Sequence, residues 1–244
     1  MADSVVYVAD IGSDIDDMIA VEFLHLSDAL DYVVLDRNNI ADKVRVSTLK
    51  KMGVKFKDEI QQGCRNVFVG GALTKVANYL NKGNQLGYLV IQGGFAGCNI
   101  VSNPLKKFKS KAEVRTFNLN IDVQSSLDVL DMTTQVKHAL LLVSKNVCHS
   151  SINTEGALHN DTFLKKYKLS PKKRLHDLLA VKEGLAYMRK EVLHCQYDNV
   201  KLVCNGVDEY AKWSSKRTND ATGVLISTSL KGIKVMDNGS DNSN

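Results

Sequence analysis

Four carboxylates, Asp10, Asp14, Asp16 and Asp17, fall within eight positions near the start of the chain. They follow the apolar run Val5-Val6-Tyr7-Val8-Ala9 and precede Met18-Ile19-Ala20, where an apolar helix-like pattern begins. The segment therefore reads as strand, acidic loop, helix, with Gly12 allowing a tight turn. Carboxylates this crowded repel one another, and solvent, protonation or a cation must relieve the repulsion. A hard divalent cation suits them. Calcium accepts roughly six to eight oxygen ligands in irregular geometry, which an acidic loop at a strand's carboxyl end supplies better than a thiol or imidazole cage. The alternative is an acidic helix cap, with Asp14 or Asp16 at the start of the next helix. Four carboxylates exceed what one cap needs.

Elements that would position such a loop are visible along the chain. Met18 to Leu26 has the pattern of a helix apolar on most sides, as packing on a sheet requires. Strands are expected at 31–36, 65–69, 87–92, 113–117, 138–143 and 199–204, and a hairpin at 223–235 folded about Ser229 to Gly232. Helices are expected from Ile40 to Met52, Leu73 to Leu80, Val123 to Met132, Phe163 to Tyr167, and after Pro171 to about Lys190. This alternation predicts an α/β fold: a single-domain, open, mostly parallel sheet with helices on both faces, spanning 1–236, followed by a polar tail at 237–244 that reads as disordered. Ligands of such sheets bind beyond the carboxyl ends of the strands. Asp10, Asn38, Asn39, the glycine-rich stretch Gln92 to Asn99, Asn118, Asp122, Asn146 and His149 all follow expected strands and could share one rim.

Composition narrows the function classes. With 244 residues, 44% hydrophobic and 24% charged, the chain can bury one sizeable core. The net charge of +5 is modest, and short basic clusters at Lys106-Lys107, Lys165-Lys166 and Lys172-Lys173-Arg174 read as solvated surface, so no nucleic-acid partner is expected. Five widely spaced cysteines without a CxxC pair suggest reduced thiols in a cytoplasmic setting and no zinc site. No signal peptide is recognisable, and no apolar run approaches the roughly 20 residues that cross a bilayer, so no membrane partner is expected.

Ordered blocks across residues 5–180 resemble the nucleoside hydrolases, the inosine-uridine preferring nucleoside N-ribohydrolases. Asp10-Ile11-Gly12-Ser13-Asp14-Ile15-Asp16-Asp17 resembles the family's acidic opening. Gly70-Gly71-Ala72-Leu73-Thr74 is similar to its Gly-Pro-Leu-Thr, and Val90 to Phe95 with Asn99 resembles its Met-Gly-Gly loop and following Gly-Asn. Phe117-Asn118 with Asp122 resembles its Glu-Phe-Asn segment and later Asp, and Leu175-His176-Asp177-Leu178-Leu179-Ala180 its His-Asp-Pro-Leu-Ala. The resemblance implies a calcium-dependent enzyme that cleaves the N-glycosidic bond of a ribonucleoside or related N-riboside to ribose and free base, in purine or pyrimidine salvage. Calcium would bind the attacking water and the ribose 2′- and 3′-hydroxyls. Carried over position by position, Asp17 and Asp177 are calcium ligands, Asp10 is a ligand or the base, and Ile91 gives a backbone carbonyl to the metal. Asn118, Asn39, Asp16 and Asn99 become substrate-binding positions, and His176 the acid at the leaving group. Members often form dimers or tetramers, so a homo-oligomer is among the implied assemblies.

The chain departs from the family pattern at identifiable points. Where the pattern flanks one residue with two aspartates, the chain has only Asp10; the partner position holds Val8 or Gly12, and Asp14 could compensate. Thr116 stands for the glutamate before Phe-Asn, and Leu178 for the proline after His-Asp. A degenerate homologue that binds a nucleoside or protein partner without turnover is therefore the second reading. A third, from the likeness of Asp10-Ile11-Gly12-Ser13 to the phosphate loop of actin-like kinases, is disfavoured because the carboxylates that follow would repel phosphate.

Overall fold

The strands form because their apolar residues alternate between two buried faces. A computed structural model describes residues 4–12, 14–36, 42–150, 161–170 and 173–231. In chain order its strands are β1 (Val5–Ala9), β2 (Leu30–Leu35), β3 (Phe56–Lys57), β4 (Asn66–Val69), β5 (Leu86–Gln92), β6 (Glu113–Val114), β7 (Val136–Val143), β8 (Cys195–Asn205), β9 (Lys212–Arg217) and β10 (Val224–Leu230). The helices are α1 (Asp16–Leu26), α2 (Lys43–Lys51), α3 (Thr74–Asn81), α4 (Phe117–Ile121), α5 (Val123–Asp131), α6 (Lys145–Ser150), α7 (Asp161–Lys166) and α8 (His176–Met188).

All ten strands join one sheet in the order β3-β2-β1-β4-β5-β7-β10-β8-β9-β6. The first seven are parallel to their neighbours, and the pairs from β10 outward are antiparallel. Val6, Val8, Val67, Val69, Leu89, Ile91, Leu140 and Leu142 face one core with α3 and α5. The alternate residues Tyr7, Ala9, Phe68, Val90, Leu141 and Val143 face the other, with α1 and α8. A strand covered on both sides reads as a continuous apolar run, which is why the sequence shows its parallel strands clearly. Gly184 lets α8 lie close to the sheet, since a Cβ there would come 2.6 Å from the Phe68 ring.

The expected open, mostly parallel sheet with helices on both faces is present, with local corrections. Residues 224–230 form one strand in place of a hairpin, because Ser229 and Leu230 remain paired with Gln196 and Cys195 of β8. The segment after β7 is the helix α6 where a loop was expected, and Phe117 opens α4 where a strand end was expected. The short β3 and the antiparallel β9 were not foreseen. Among the described residues no helix is long and apolar enough to cross a membrane. Asn38, Asn39 and the tail at 237–244 lie outside the described residues.

Candidate active site

Parallel strands end their carbonyl-side tips on one edge of the sheet, and the acidic turn leaves β1 at that edge. Asp17, in the first turn of α1, is buried, and its Oδ1 accepts from the Tyr7 hydroxyl and from Asp10 N, each at 3.3 Å. Asp177, in the first turn of α8, is buried beside it. The meeting point is Gly70, just past β4. A Cβ on Gly70 would stand 2.1 Å from Tyr7 Oη, 2.6 Å from Asp17 Oδ1 and 3.0 Å from Asp177 Oδ1. Glycine leaves the room in which these groups converge. Residues widely separated in sequence thus form one acidic pocket.

Asp16 joins the two helices. Its Oδ2 accepts from His176 N at 2.9 Å, and the Asp177 N–H also bonds to this carboxylate. Leu175, the residue at the cap position of α8, supplies no side-chain hydrogen bond, so an aspartate of α1 caps α8 instead. The cap expected for the following helix is therefore partly real, and it serves a different helix. Asp14 has a separate place: its Oδ1 accepts from Asp16 N at 3.2 Å, and Lys173 Nζ lies 2.7 and 2.6 Å from its two oxygens. Lys173, read from sequence as solvated surface, is a partner of the acidic turn. Arg45 braces the same turn by donating to Gly12 O at 2.6 Å and to Asp14 O.

Burial and crowding set the electrostatics. Burial pushes the Asp17 carboxyl well above its ordinary range, and Asp177, Asp10 and Asp16 push it further. Burial raises Asp177 likewise, with repulsion from Asp16, Asp10 and Asp14. Asp16 rises to about 7, from burial and Asp14, against the opposing pull of Lys173 and the backbone donors of α8. His176 falls to about 4, from burial and then from Arg174 and Lys173, so its imidazole is neutral at pH 7. Neighbouring His149, with its ring centroid 5.2 Å from that of His176, falls to about 2 for the same first reason, then from His176 and Lys107.

The other expected site residues fall in different places. Asn118 is buried, and its amide donates to Gly70 O, Gln92 O and Gln92 Oε1 at 2.8–2.9 Å, which puts it on the pocket wall beside Gly70. Ile91 is buried in β5, paired with Val69 and Leu142. Asp10 lies just past β1, its Cβ 3.3 Å from the point where Gly71 would carry one. Asn99 is not drawn into the acidic pocket by any described contact: it is exposed, and its amide donates to Ser215 O of β9 at 2.7 Å. Asp122 caps α5 and binds Thr74 Oγ1 at 2.7 Å. Sequence reasoning passed over Tyr7, Asp36 and Lys173. Tyr7 reads as one more apolar strand residue. Asp36 N donates to Ala9 O and its carboxylate accepts from Ala72 N, which ties β2 to both neighbouring strand ends; its position at a strand's carboxyl end was the available signal.

A cleft of about 1470 Å³ opens elsewhere, bounded by residues 100–109, α6, β8 and β10. It shares Asn146 and Ser150 with the elements near the site but contains none of the clustered carboxylates.

The arrangement matches a known architecture. The chain superposes on an inosine-uridine preferring nucleoside hydrolase from Bacillus anthracis with a TM-score of 0.57 and 14% identity, over 93% of this chain and 94% of that one. The fold is nucleoside hydrolase-like. The type III effector protein XopQ, complexed with adenosine diphosphate ribose, is also similar, with a TM-score of 0.51 and 11% identity over 91% of this chain and 85% of that one. Among curated proteins, an uncharacterized protein of Aquifex aeolicus (strain VF5) is 26% identical over 179 residues. That match spans 68% of this chain and 60% of the relative, less than two thirds of its length. No protein-family model matches the chain.

Nucleoside hydrolase-like folds raise the question of a cation. Among the described residues, no three His, Cys, Asp or Glu side chains already close around a metal position. The donor set nonetheless suits a hard ion: it is all oxygen, and two of its oxygens, Asp16 Oδ1 and Asp177 Oδ1, are buried without a hydrogen-bond partner. Buried carboxylate oxygens left unpaired are costly, and calcium completes its shell with backbone carbonyls and water as readily as with side chains.

Proposed function

We propose that the protein hydrolyses the N-glycosidic bond of a ribonucleoside or related N-riboside, with a calcium ion in the acidic pocket. The observation that carries this reading is the convergence of Asp17 and Asp177 on the space above Gly70. Asp17, Asp177, Asp10 and the carbonyl of Ile91 would hold the ion, which when bound polarises a water and orients the ribose diol. Breaking the bond develops positive charge on the sugar, and the buried carboxylates favour that charge over the neutral ground state. Asp10, the least buried of the four proposed ligands, receives the water's proton. Asn118 orients the ribose from the pocket wall. His176, kept neutral by burial, meets the departing base as a hydrogen-bond donor instead of delivering a proton as an imidazolium.

The test is to incubate the protein and calcium with purine and pyrimidine ribonucleosides and nicotinamide riboside, and to measure free base. Release that disappears in Asp177→Asn supports the reading, and absence of release from every substrate overturns it. One observation favours the second reading, binding without turnover. Asp14, the residue available to replace the aspartate absent at Val8 or Gly12, gives both its oxygens to Lys173. Calorimetry that finds nucleoside affinity without product formation would select it.

A further inference from the structure

The charges around the two histidines are opposite in sign to the pocket beside them. His149 Nδ1 lies 2.6 Å from Lys107 Nζ, and its ring packs on His176 and on Phe108. The ionisable groups acting most on His149 are His176, Lys107, Arg174 and Lys145, with no carboxylate among them. Those acting on His176 are Arg174, Lys173 and Lys107 against one carboxylate, Asp14, which already binds Lys173. Lys145, half-buried at the start of α6, donates to Arg115 O at 3.1 Å and has Lys111 and Arg115 as its charged neighbours. Residue 115 leads directly into α4, which carries Asn118. A crescent of cations therefore runs from the entry of α4 past α6 to the approach of α8, along one side of the acidic pocket.

Like charges held this close repel, and a multiply charged anion relieves them best. Two polar atoms on the elements flanking the crescent, His176 Nε2 and Thr116 Oγ1, are buried without a hydrogen-bond partner. A phosphate group supplies both the charge and the acceptor oxygens that lysine and arginine take up. We propose, building on the N-glycosidase reading of the acidic pocket, that the riboside bound here is phosphorylated on its 5′ carbon and that Lys107, Lys145 and Arg174 hold that phosphate. The 2′ and 3′ positions are excluded by charge. In that reading they face Asp17 and Asp177, where a phosphate would add negative charge to buried carboxylates. The 5′ carbon is the remaining ribose position, and Asn118, the ribose contact, lies on the side of the crescent.

Calorimetry on the whole chain with calcium, using adenosine, adenosine 5′-monophosphate, ribose 5-phosphate and inorganic phosphate, tests this alongside release of free base. The nucleotide should bind at least about 10-fold more tightly than the nucleoside, as one charge-assisted hydrogen bond implies. Lys107→Met, a change at an exposed residue, should remove about 10-fold of nucleotide affinity and leave adenosine affinity unchanged; Arg174→Met should do the same. Equal or weaker nucleotide binding overturns the phosphate proposal, while base release from adenosine would leave the N-glycosidase reading standing. Tighter nucleotide binding that needs Lys107, without base release from either compound, supports the phosphate site and overturns the hydrolase. Inorganic phosphate binding as tightly as the nucleotide also overturns the proposal, since the crescent would then serve free phosphate.

Discussion

Asp16 and Asp177 divide the work of the acidic pocket between holding a helix and offering an unpaired oxygen, and substitutions separate the two. Asp177→Asn keeps the shape of the side chain but removes a buried charge. Base release should fall roughly 100-fold or more, and calcium should no longer raise the melting temperature, as steady-state assays and thermal melts would show. Asp16→Asn retains an acceptor for the His176 N–H and should keep the cap. Asp16→Ala loses it, at a cost of about 1 kcal/mol in urea unfolding, and should also weaken calcium binding by displacing Asp177. At this scale the sequence was informative where one residue type implied one chemistry. The crowding of Asp10, Asp16 and Asp17 and the His176-Asp177 pair were visible as such. Tyr7 and Lys173 were not, because a hydroxyl inside an apolar strand and a lysine inside a basic triplet gain meaning only from what packs against them.

Between elements, the decisive contacts are those that place one end of α8 at the acidic turn and its body on the sheet. Gly70→Ala would drive a methyl into Tyr7, Asp17 and Asp177. Overpacking of this kind costs about 1–3 kcal/mol, and the variant should lose calcium binding while keeping its far-ultraviolet circular dichroism. Further along α8, buried Glu183 accepts from His194 N and Nδ1, both at 2.8 Å, and from Cys195 N and Tyr197 Oη, both at 3.1 Å, fastening the helix to β8. Burial alone would raise this carboxyl, but the bonds from His194 and Cys195 hold it below its ordinary value. A lowered folded-state value means the stabilisation is present above the unfolded value of about 4.3 and is lost as pH falls through the folded one. Glu183→Gln should therefore cost about 1.5–3 kcal/mol at pH 7, and its deficit in thermal melts should shrink at lower pH. The parallel strands were legible because continuous apolar runs mark burial on both faces. Strands β9 and β10 were misread or missed because their half-exposed residues, such as Lys212, Ser214 and Thr228, do not show the strand period, and their pairing is set by β8, distant in sequence.

Across the whole molecule, ion binding and stability are linked through the pocket's charge. Carboxyls raised on folding favour the folded state when protonated, below about pH 4, and that contribution is lost as pH rises through the raised values, about 7 for Asp16. A cation takes up the ionised form, so its stabilising effect should grow with pH. At a calcium concentration about 100-fold above its dissociation constant, the melting temperature at pH 8 should rise by about 5–10 °C, and by less at pH 5, in calorimetric scans. The overall architecture was legible from alternation alone, whereas the site depended on which strand ends become neighbours, and sheet order is not written locally. The cap that Asp16 places on His176 spans 160 residues, so a ribosome adding about 5–20 residues per second completes the acidic turn roughly 8–30 s before the helix it must hold exists. During synthesis the turn has no helix to fasten and no opposing aspartate, so a nascent chain cannot close on calcium until its final quarter has begun to emerge.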